Sequence, residues 1–166
     1  MDWFAKAFIK SSLAWLAAGA TLGIAIAMHP VWVLYRPAHL HMNLLGFVTM
    51  MIAGVGYHVF PRFVGQPLHS PRIAATHLVM SNLGLALMVA GFLTRPGSAH
   101  GVAASLLGAG ALMSAFAIYL FVYNVWRTLD ARSRTAPPPK QASGAQRRSL
   151  PLAEAHNHER ELSRVE

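Results

Sequence analysis

The feature that most constrains this chain is a long stretch, residues 3–129, that contains no aspartate or glutamate. All six acidic residues lie outside it: Asp2, Asp130, Glu154, Glu159, Glu161 and Glu166. A long segment without carboxylates is typical of helices that face lipid, where a buried charge is costly. The same absence excludes enzymes that need a pair of carboxyl groups in their core.

Four apolar runs occupy this stretch, at residues 8–28, 38–60, 73–93 and 102–126. Each run has about 20 residues, the length that a helix needs to cross the hydrocarbon core of a membrane. Pro37 has the position of a first-turn proline that opens the second helix, and Pro61 marks a gap after that helix. The pattern predicts an all-α fold, a four-helix transmembrane bundle over residues 1–130 whose first partner is the lipid bilayer.

Aromatic and basic residues predict how the bundle is placed in the membrane. Aromatic residues near the run ends suggest a belt at the membrane surfaces: Trp3, Trp32, Tyr35, Tyr57, Tyr123 and Trp126. Most basic residues flank the runs on one side: Lys6, Lys10, Arg62, Arg72, Arg127, Arg132 and Arg134, against Arg36 and Arg95 on the other. The positive-inside rule then puts both termini in the cytoplasm, as in a multi-pass protein of a bacterial cytoplasmic (inner) membrane.

The character of the chain changes after residue 130. A Pro-Pro-Pro run at 137–139 and Ser-, Gln- and Arg-rich sequence predict that residues 131–166 form a disordered cytoplasmic tail. The net charge of +8 follows from basic residues that flank membrane spans. Nucleic-acid binding would need a basic face on a folded domain, which the sequence does not indicate, so we expect no nucleic-acid partner.

Small residues recur at helical spacing in all four runs. Such stripes face the interior of membrane bundles, where backbones approach closely. The stripes are His77, Ser81, Gly84, Met88 and Gly91 in the third run, Gly46, Thr49, Ala53 and Gly56 in the second, Gly19 and Gly23 in the first, and Gly108, Ala111 and Ala115 in the fourth. Small residues make room either for a neighbouring helix or for a flat cofactor, and the sequence leaves both interpretations open.

Histidines are the most frequent candidates for function. Seven lie within or beside the runs: His29, His39, His41, His58, His69, His77 and His100. An imidazole in lipid needs a partner, so intramembrane histidines are functional candidates. The chain has no cysteine, and imidazoles without carboxylates or thiolates suit haem iron or copper.

Two pairs of histidines have the depth and helix origin that a shared cofactor requires. His41 and His100 lie toward the outer surface on different helices, as the ligands of a bis-histidine haem must. His58 and His77 lie toward the inner surface on the second and third helices, and they form a candidate second site.

A copper site is the alternative use of the same region. His39 and His41 are two residues apart, so their side chains diverge by about 160° on a helix. Both would bind one ion only if the start of the helix were unwound. Met28 or Met42 would complete such a site, because thioether and imidazole ligands suit Cu(I). The candidate metal ligands are therefore His41, His39 and His77.

Two segments of the second run carry a resemblance to a known family. Residues 36–48 read RPAHLHMNLLGFV, and residues 54–61 read GVGYHVFP. This resembles the second transmembrane helix of subunit I in the haem–copper oxidase superfamily, with nitric oxide reductases and cbb-type cytochrome c oxidases the most similar. The family pattern of a histidine, any residue, asparagine and two apolar residues matches His41, Asn43 and the two leucines that follow. The resemblance implies that His41 ligates a low-spin haem b near the outer face.

The same resemblance implies limits. Subunit I in that family has many more helices, and the later ones supply the copper ligands, the high-spin haem ligand and the second low-spin haem ligand. Because this chain has four runs, we expect a truncated relative that is not a complete oxidase and does not reduce oxygen or nitric oxide alone. We expect a b-type haem protein of electron transfer or of nitric oxide and oxygen sensing, as a homodimer or in a larger respiratory complex. A copper-handling protein and a cofactor-free assembly subunit of an oxidase remain alternatives.

Overall fold

The four apolar runs form four long helices in the structure, a computed structural model that describes residues 1–95 and 100–130, with the side chains of residues 1–95 and 101–130. The spans are Trp3–Met28, Pro30–Val64, Pro71–Thr94 and Gly101–Asp130, and each is long and apolar enough to cross a membrane. The fold is therefore the predicted all-α, four-helix transmembrane bundle. The predicted tail, residues 131–166, lies outside the described residues.

Each span except the second is one continuous α-helix. The elements in chain order are α1 (Trp3–Met28), a 3₁₀ segment (Pro30–Tyr35), α2 (Arg36–His41), a π-helical segment (Met42–Thr49), α3 (Met50–Val64), α4 (Pro71–Thr94) and α5 (His100–Asp130). Pro37 lies in the first turn of α2, as predicted. We call the end of the bundle with residues 29–35 and the carboxyl end of α4 the first-loop end, and the end with residues 65–70 the second-loop end.

The π-helical segment is the unusual element of the second span. In a π-helix each backbone N–H bonds five residues back, which widens the helix, and such segments are rare and often lie at functional sites. Here the segment begins directly after His41 and runs to Thr49. The Thr49 hydroxyl donates to the carbonyl of Leu44 at 2.9 Å, which supports the widened turn from its side.

The second span continues through Pro61, where the sequence predicted a gap. Pro61 lies inside α3, which ends at Val64. The actual stop signal is Gly65, whose φ of 64° is the left-handed conformation that glycine adopts without a steric penalty. Gln66 N–H donates to the carbonyl of Pro61 at 3.0 Å and Gly65 N–H to that of Arg62 at 3.2 Å. This is a Schellman motif, which satisfies the last carbonyls of the helix and turns the chain toward α4.

Glycines set the closest helix contacts, as the stripes in the first three runs predicted. A Cβ at Gly110 of α5 would lie 2.6 Å from the carbonyl oxygen of Gly84 in α4, so the two backbones touch there. A Cβ at Gly46 would lie 2.5 Å from the side chain of Trp15, and one at Gly54 would lie 2.9 Å from Phe8. The second span therefore packs closely on α1, while α4 packs on α5.

The stripe predicted for the fourth run was wrong. Gly108, Ala111 and Ala115 are exposed, and a Cβ at Gly108 would meet nothing within 4 Å. The face that packs on α4 carries Gly110 and Ser114 instead. Adjacent stripes on a helix differ by about 100° in direction, and α5 has small residues on both of them, so spacing alone could not identify the packed face.

Candidate functional site

The candidate site is centred on His41, at the junction of α2 and the π-helical segment, because one ring nitrogen of this histidine is available to ligate a metal. His41 Nδ1 lies 2.8 Å from the carbonyl oxygen of Pro37, one helical turn earlier. A carbonyl oxygen only accepts, so Nδ1 carries the hydrogen and Nε2 of the neutral ring carries the lone pair. In the part of the chain that the structure describes, Nε2 makes no hydrogen bond. Metal-ligating histidines have this arrangement, with the second nitrogen held by a backbone carbonyl.

An open groove of about 330 Å³ lies beside His41 at the first-loop end. Its lining residues are Leu34, Pro37, Phe92 and Arg95. Two of them are contacts of His41, because Pro37 accepts its hydrogen bond and the Phe92 ring lies 4.9 Å from its ring, centroid to centroid. The groove therefore has apolar walls and one guanidinium, and the half-buried His41 lies behind two of its lining residues without being one of them.

His39 and Asn43 face the opposite helix. His39 Nδ1 donates to the carbonyl of Gly19 in α1 at 2.8 Å, and its ring packs over Gly23. The Asn43 amide donates to the carbonyl of His39 at 2.8 Å and packs against Gly19. Asn43 Nδ2 also lies 3.4 Å from His39 Nδ1, but both atoms are donors in this arrangement. The two side chains hold the second span to α1, and within the described residues neither makes a hydrogen bond or a ring contact with His41.

The structure therefore does not bring the candidate copper ligands together. His39 contacts α1 whereas His41 contacts α4, as the divergence of about 160° for residues two apart requires on a helix. Met28 is 72% exposed and Met42 only 8% exposed, so the two thioethers have different surroundings. Among residues 1–95 and 100–130, no group of three histidine, cysteine or acidic side chains converges on a metal position.

His77 lies in a closed aromatic cluster near the middle of the bundle. It is 2% exposed, and its Nδ1 lies 3.0 Å from the Tyr57 hydroxyl. Its ring centroid lies 4.6 Å from that of Phe8 and 5.5 Å from that of Phe121. The cluster includes Phe4, which meets Tyr57 edge-on at 5.7 Å. Rings from all four spans thus meet here.

The space that adjoins His77 is small. A cavity of about 20 Å³ is lined by His77, Thr49, Ser81 and Ser114, together with Leu45, Met50 and Ile118. That volume is enough for about one water molecule, which the hydroxyls would suit. This cavity is far too small for a porphyrin, and the assignment of His77 to a haem stays a prediction.

His58 does not join His77. It is bonded to Arg62 one turn later, with Arg62 Nη1 2.6 Å from His58 Nδ1. Within the described residues no hydrogen bond or ring contact links His58 to His77; the neighbouring residue, Tyr57, is the one that reaches His77. Successive residues on a helix point about 100° apart. Tyr57 therefore faces the core of the bundle, while His58 faces its edge.

His100, the predicted second ligand, is the first residue of α5 and so lies at the first-loop end. Its side chain is outside the described residues. The pairing of His41 with His100 stays a prediction.

Sequence reasoning missed three residues that define these sites. Tyr57 was predicted for the aromatic belt but is fully buried; its position four residues after Ala53, on the same helix face as that member of the packed stripe, was the available signal. Phe92 and Arg95 form the groove beside His41. Phe92 lies at the end of the third apolar run and Arg95 just after it, and no spacing rule connects them to a histidine more than fifty residues earlier.

Comparison of the chain with protein-family models and with curated proteins finds no match.

Proposed function

We propose that this membrane protein binds haem b at the first-loop end, with Nε2 of His41 as an axial ligand. The observation that carries the proposal is the state of His41: its Nδ1 hydrogen is committed to the Pro37 carbonyl at 2.8 Å, beside an open apolar groove. An axial ligand needs one basic nitrogen and a fixed ring, and this hydrogen bond supplies both. The resemblance of residues 36–61 to subunit I of haem–copper oxidases supports the same ligand.

The groove has the chemistry that a haem requires. Leu34, Pro37 and Phe92 offer apolar surface to a macrocycle, and Arg95 offers a cation to its propionates. The π-helical segment after His41 supports the proposal as well, because such segments are frequent at functional sites. A bound haem supplies one-electron or gas-binding chemistry, while the protein sets its ligands, solvent access and potential.

A single haem site at one end of the bundle favours a narrower role than electron transfer across the membrane. Because the cavity described beside His77 holds only about one water molecule, we place no second haem there and propose either electron exchange at one membrane face or sensing of nitric oxide or oxygen. The sixth ligand distinguishes the two. A second imidazole, from His100 or from a second copy of the chain, favours electron exchange, whereas an open position favours gas sensing.

The test is absorption spectroscopy of the purified protein, oxidised and reduced, on wild type, His41→Ala and His29→Ala. His29 is an exposed histidine near the same end and serves as the matched control. We expect a b-type reduced band in wild type and His29→Ala and its loss in His41→Ala. Restoration of the band in His41→Ala by added imidazole would identify the lost group as the ligand. Carbon monoxide then reports whether the sixth position is open.

A cofactor-free assembly subunit is the second candidate, and one observation favours it. The stripe of Gly108, Ala111 and Ala115 on α5 is exposed, and small-residue stripes allow close docking of another membrane helix. A colourless protein from cells that make ample haem would overturn the haem proposal and favour this subunit role.

A further inference from the structure

A second open groove, of about 460 Å³, lies at the opposite, second-loop end. Its apolar walls include Phe4, Pro67 and Leu68, and its polar lining includes Arg62, His58 and Asp2. It adjoins the point where α3 ends and Gly65 turns the chain, which is where a membrane helix reaches the head-group layer. The groove thus combines a cationic rim with an apolar wall at a membrane surface.

The rim presents hydrogen-bond donors. A guanidinium only donates, so in the 2.6 Å contact with Arg62 Nη1 the Nδ1 atom of His58 accepts, and the hydrogen of the neutral ring is on Nε2. Arg62 keeps the N–H groups of Nε and Nη2 for another partner. No carboxylate of the described residues lies within ion-pair distance of Arg62.

Charge at this end favours an anion. Basic residues outnumber acidic ones among the described residues there: Lys6, Arg62, Arg72 and Arg127 against Asp2 and Asp130. A guanidinium matches the oxygens of a phosphate with two parallel hydrogen bonds. The apolar wall beside it matches an acyl chain, and the bilayer supplies such molecules at high local concentration.

We propose that this groove binds an anionic phospholipid, with its phosphate on Arg62 and His58 and an acyl chain along Pro67 and Leu68. The proposal is independent of the haem at the other end. Phosphatidylglycerol is the probe, because it has a net negative charge and no cationic group to compete with Arg62.

The experiment is native mass spectrometry of the delipidated, full-length protein in detergent, titrated with dioleoyl phosphatidylglycerol or dioleoyl phosphatidylcholine. The acyl chains are identical, so a difference reports the head group. We expect phosphatidylglycerol to bind several-fold more tightly. Arg62→Gln should weaken it by about fivefold, which is the usual contribution of one basic residue near a membrane surface. Arg72→Gln is the matched control, with the same charge change outside the groove lining.

Three results would overturn the proposal. They are equal binding of the two lipids, equal losses in Arg62→Gln and Arg72→Gln, and complete competition by glycerol 3-phosphate, which would mean that the groove binds free phosphate and not lipid. His58→Leu removes one donor without changing charge and keeps the test valid if Arg62→Gln alters folding. We expect it to weaken phosphatidylglycerol binding and to leave phosphatidylcholine unchanged.

Discussion

His41 is half-buried in the bundle and His77 is fully buried, and the surroundings of the two histidines are opposite. His77 has aromatic rings on several sides, and the only adjoining space described holds about one water molecule. His41 has one ring contact, with Phe92, and an open groove of about 330 Å³ beside it. The difference teaches that depth in the bundle alone does not make a histidine available to a ligand: aromatic rings surround His77, whereas Nε2 of His41 makes no hydrogen bond within the described residues.

Three substitutions test this contrast between the closed His77 cluster and the open His41 groove, in addition to the His41→Ala experiment, and a fourth, Gly110→Ala, tests the contact between α4 and α5. If the contrast is right, changes in the cluster lower stability and leave any haem spectrum intact, while changes in the groove do the reverse.

The largest effect on stability is expected for Phe8→Ala. Phe8 is fully buried and contacts both Tyr57 and His77. Removing the ring leaves a cavity where four spans meet, and we expect a loss of about 3 kcal/mol. Unfolding by denaturing detergent measures it, with Phe63→Ala as control because Phe63 is 76% exposed. A similar small loss in both variants would mean that the cluster is not the core of the fold.

Gly110→Ala should destabilise by about 2 kcal/mol, because the new methyl group would overpack the helix pair. Its Cβ would lie 2.6 Å from the Gly84 carbonyl oxygen, which is backbone and cannot rotate away. Gly108→Ala, two residues earlier on the open face, should be neutral in the isolated protein. The same unfolding measurement compares the pair, and the reverse order would mean that α5 is rotated relative to this structure.

Tyr57→Phe should cost about 1 kcal/mol, since it removes one intramembrane hydrogen bond to His77 and keeps the ring contacts. The haem spectrum should not change. A double-mutant cycle with His77→Phe isolates the free energy of this hydrogen bond. In the His77→Phe background the bond is already absent, so adding Tyr57→Phe should cause no further loss of stability. A change in the reduced band of Tyr57→Phe would contradict the separation of the two regions.

The smallest effect is expected for Arg95→Gln in the groove. This change removes the cation proposed to meet the haem propionates, at an exposed position where an ion pair contributes about 1 kcal/mol or less. Haem affinity should fall by a few-fold, and the reduced band should keep its position because His41 is unaffected. Arg36→Gln, at an exposed position near the same end but outside the groove lining, is the control. Loss of the band in Arg95→Gln would mean that Arg95 holds the fold or the ligand.

The sequence by itself determined the four spans, because predominantly apolar runs of about 20 residues without a carboxylate have the length and composition of helices that cross a membrane. It also predicted that the stripe around Gly84 faces the interior of the bundle, but it left open whether a neighbouring helix or a cofactor fills the space beside it. It did not determine the last turn of α3, since the left-handed turn at Gly65 overrides the usual helix-ending effect of Pro61.

Only the tertiary structure decided which histidine is closed and which is open. His41, Phe92 and Arg95 come from two spans, and their meeting depends on how the second span and α4 cross. The same holds for Tyr57 and His77, and for the choice between two small-residue faces on α5. Periodicity along one helix reports which residues share a face, but the neighbour of that face is set by packing between helices, which no local pattern encodes.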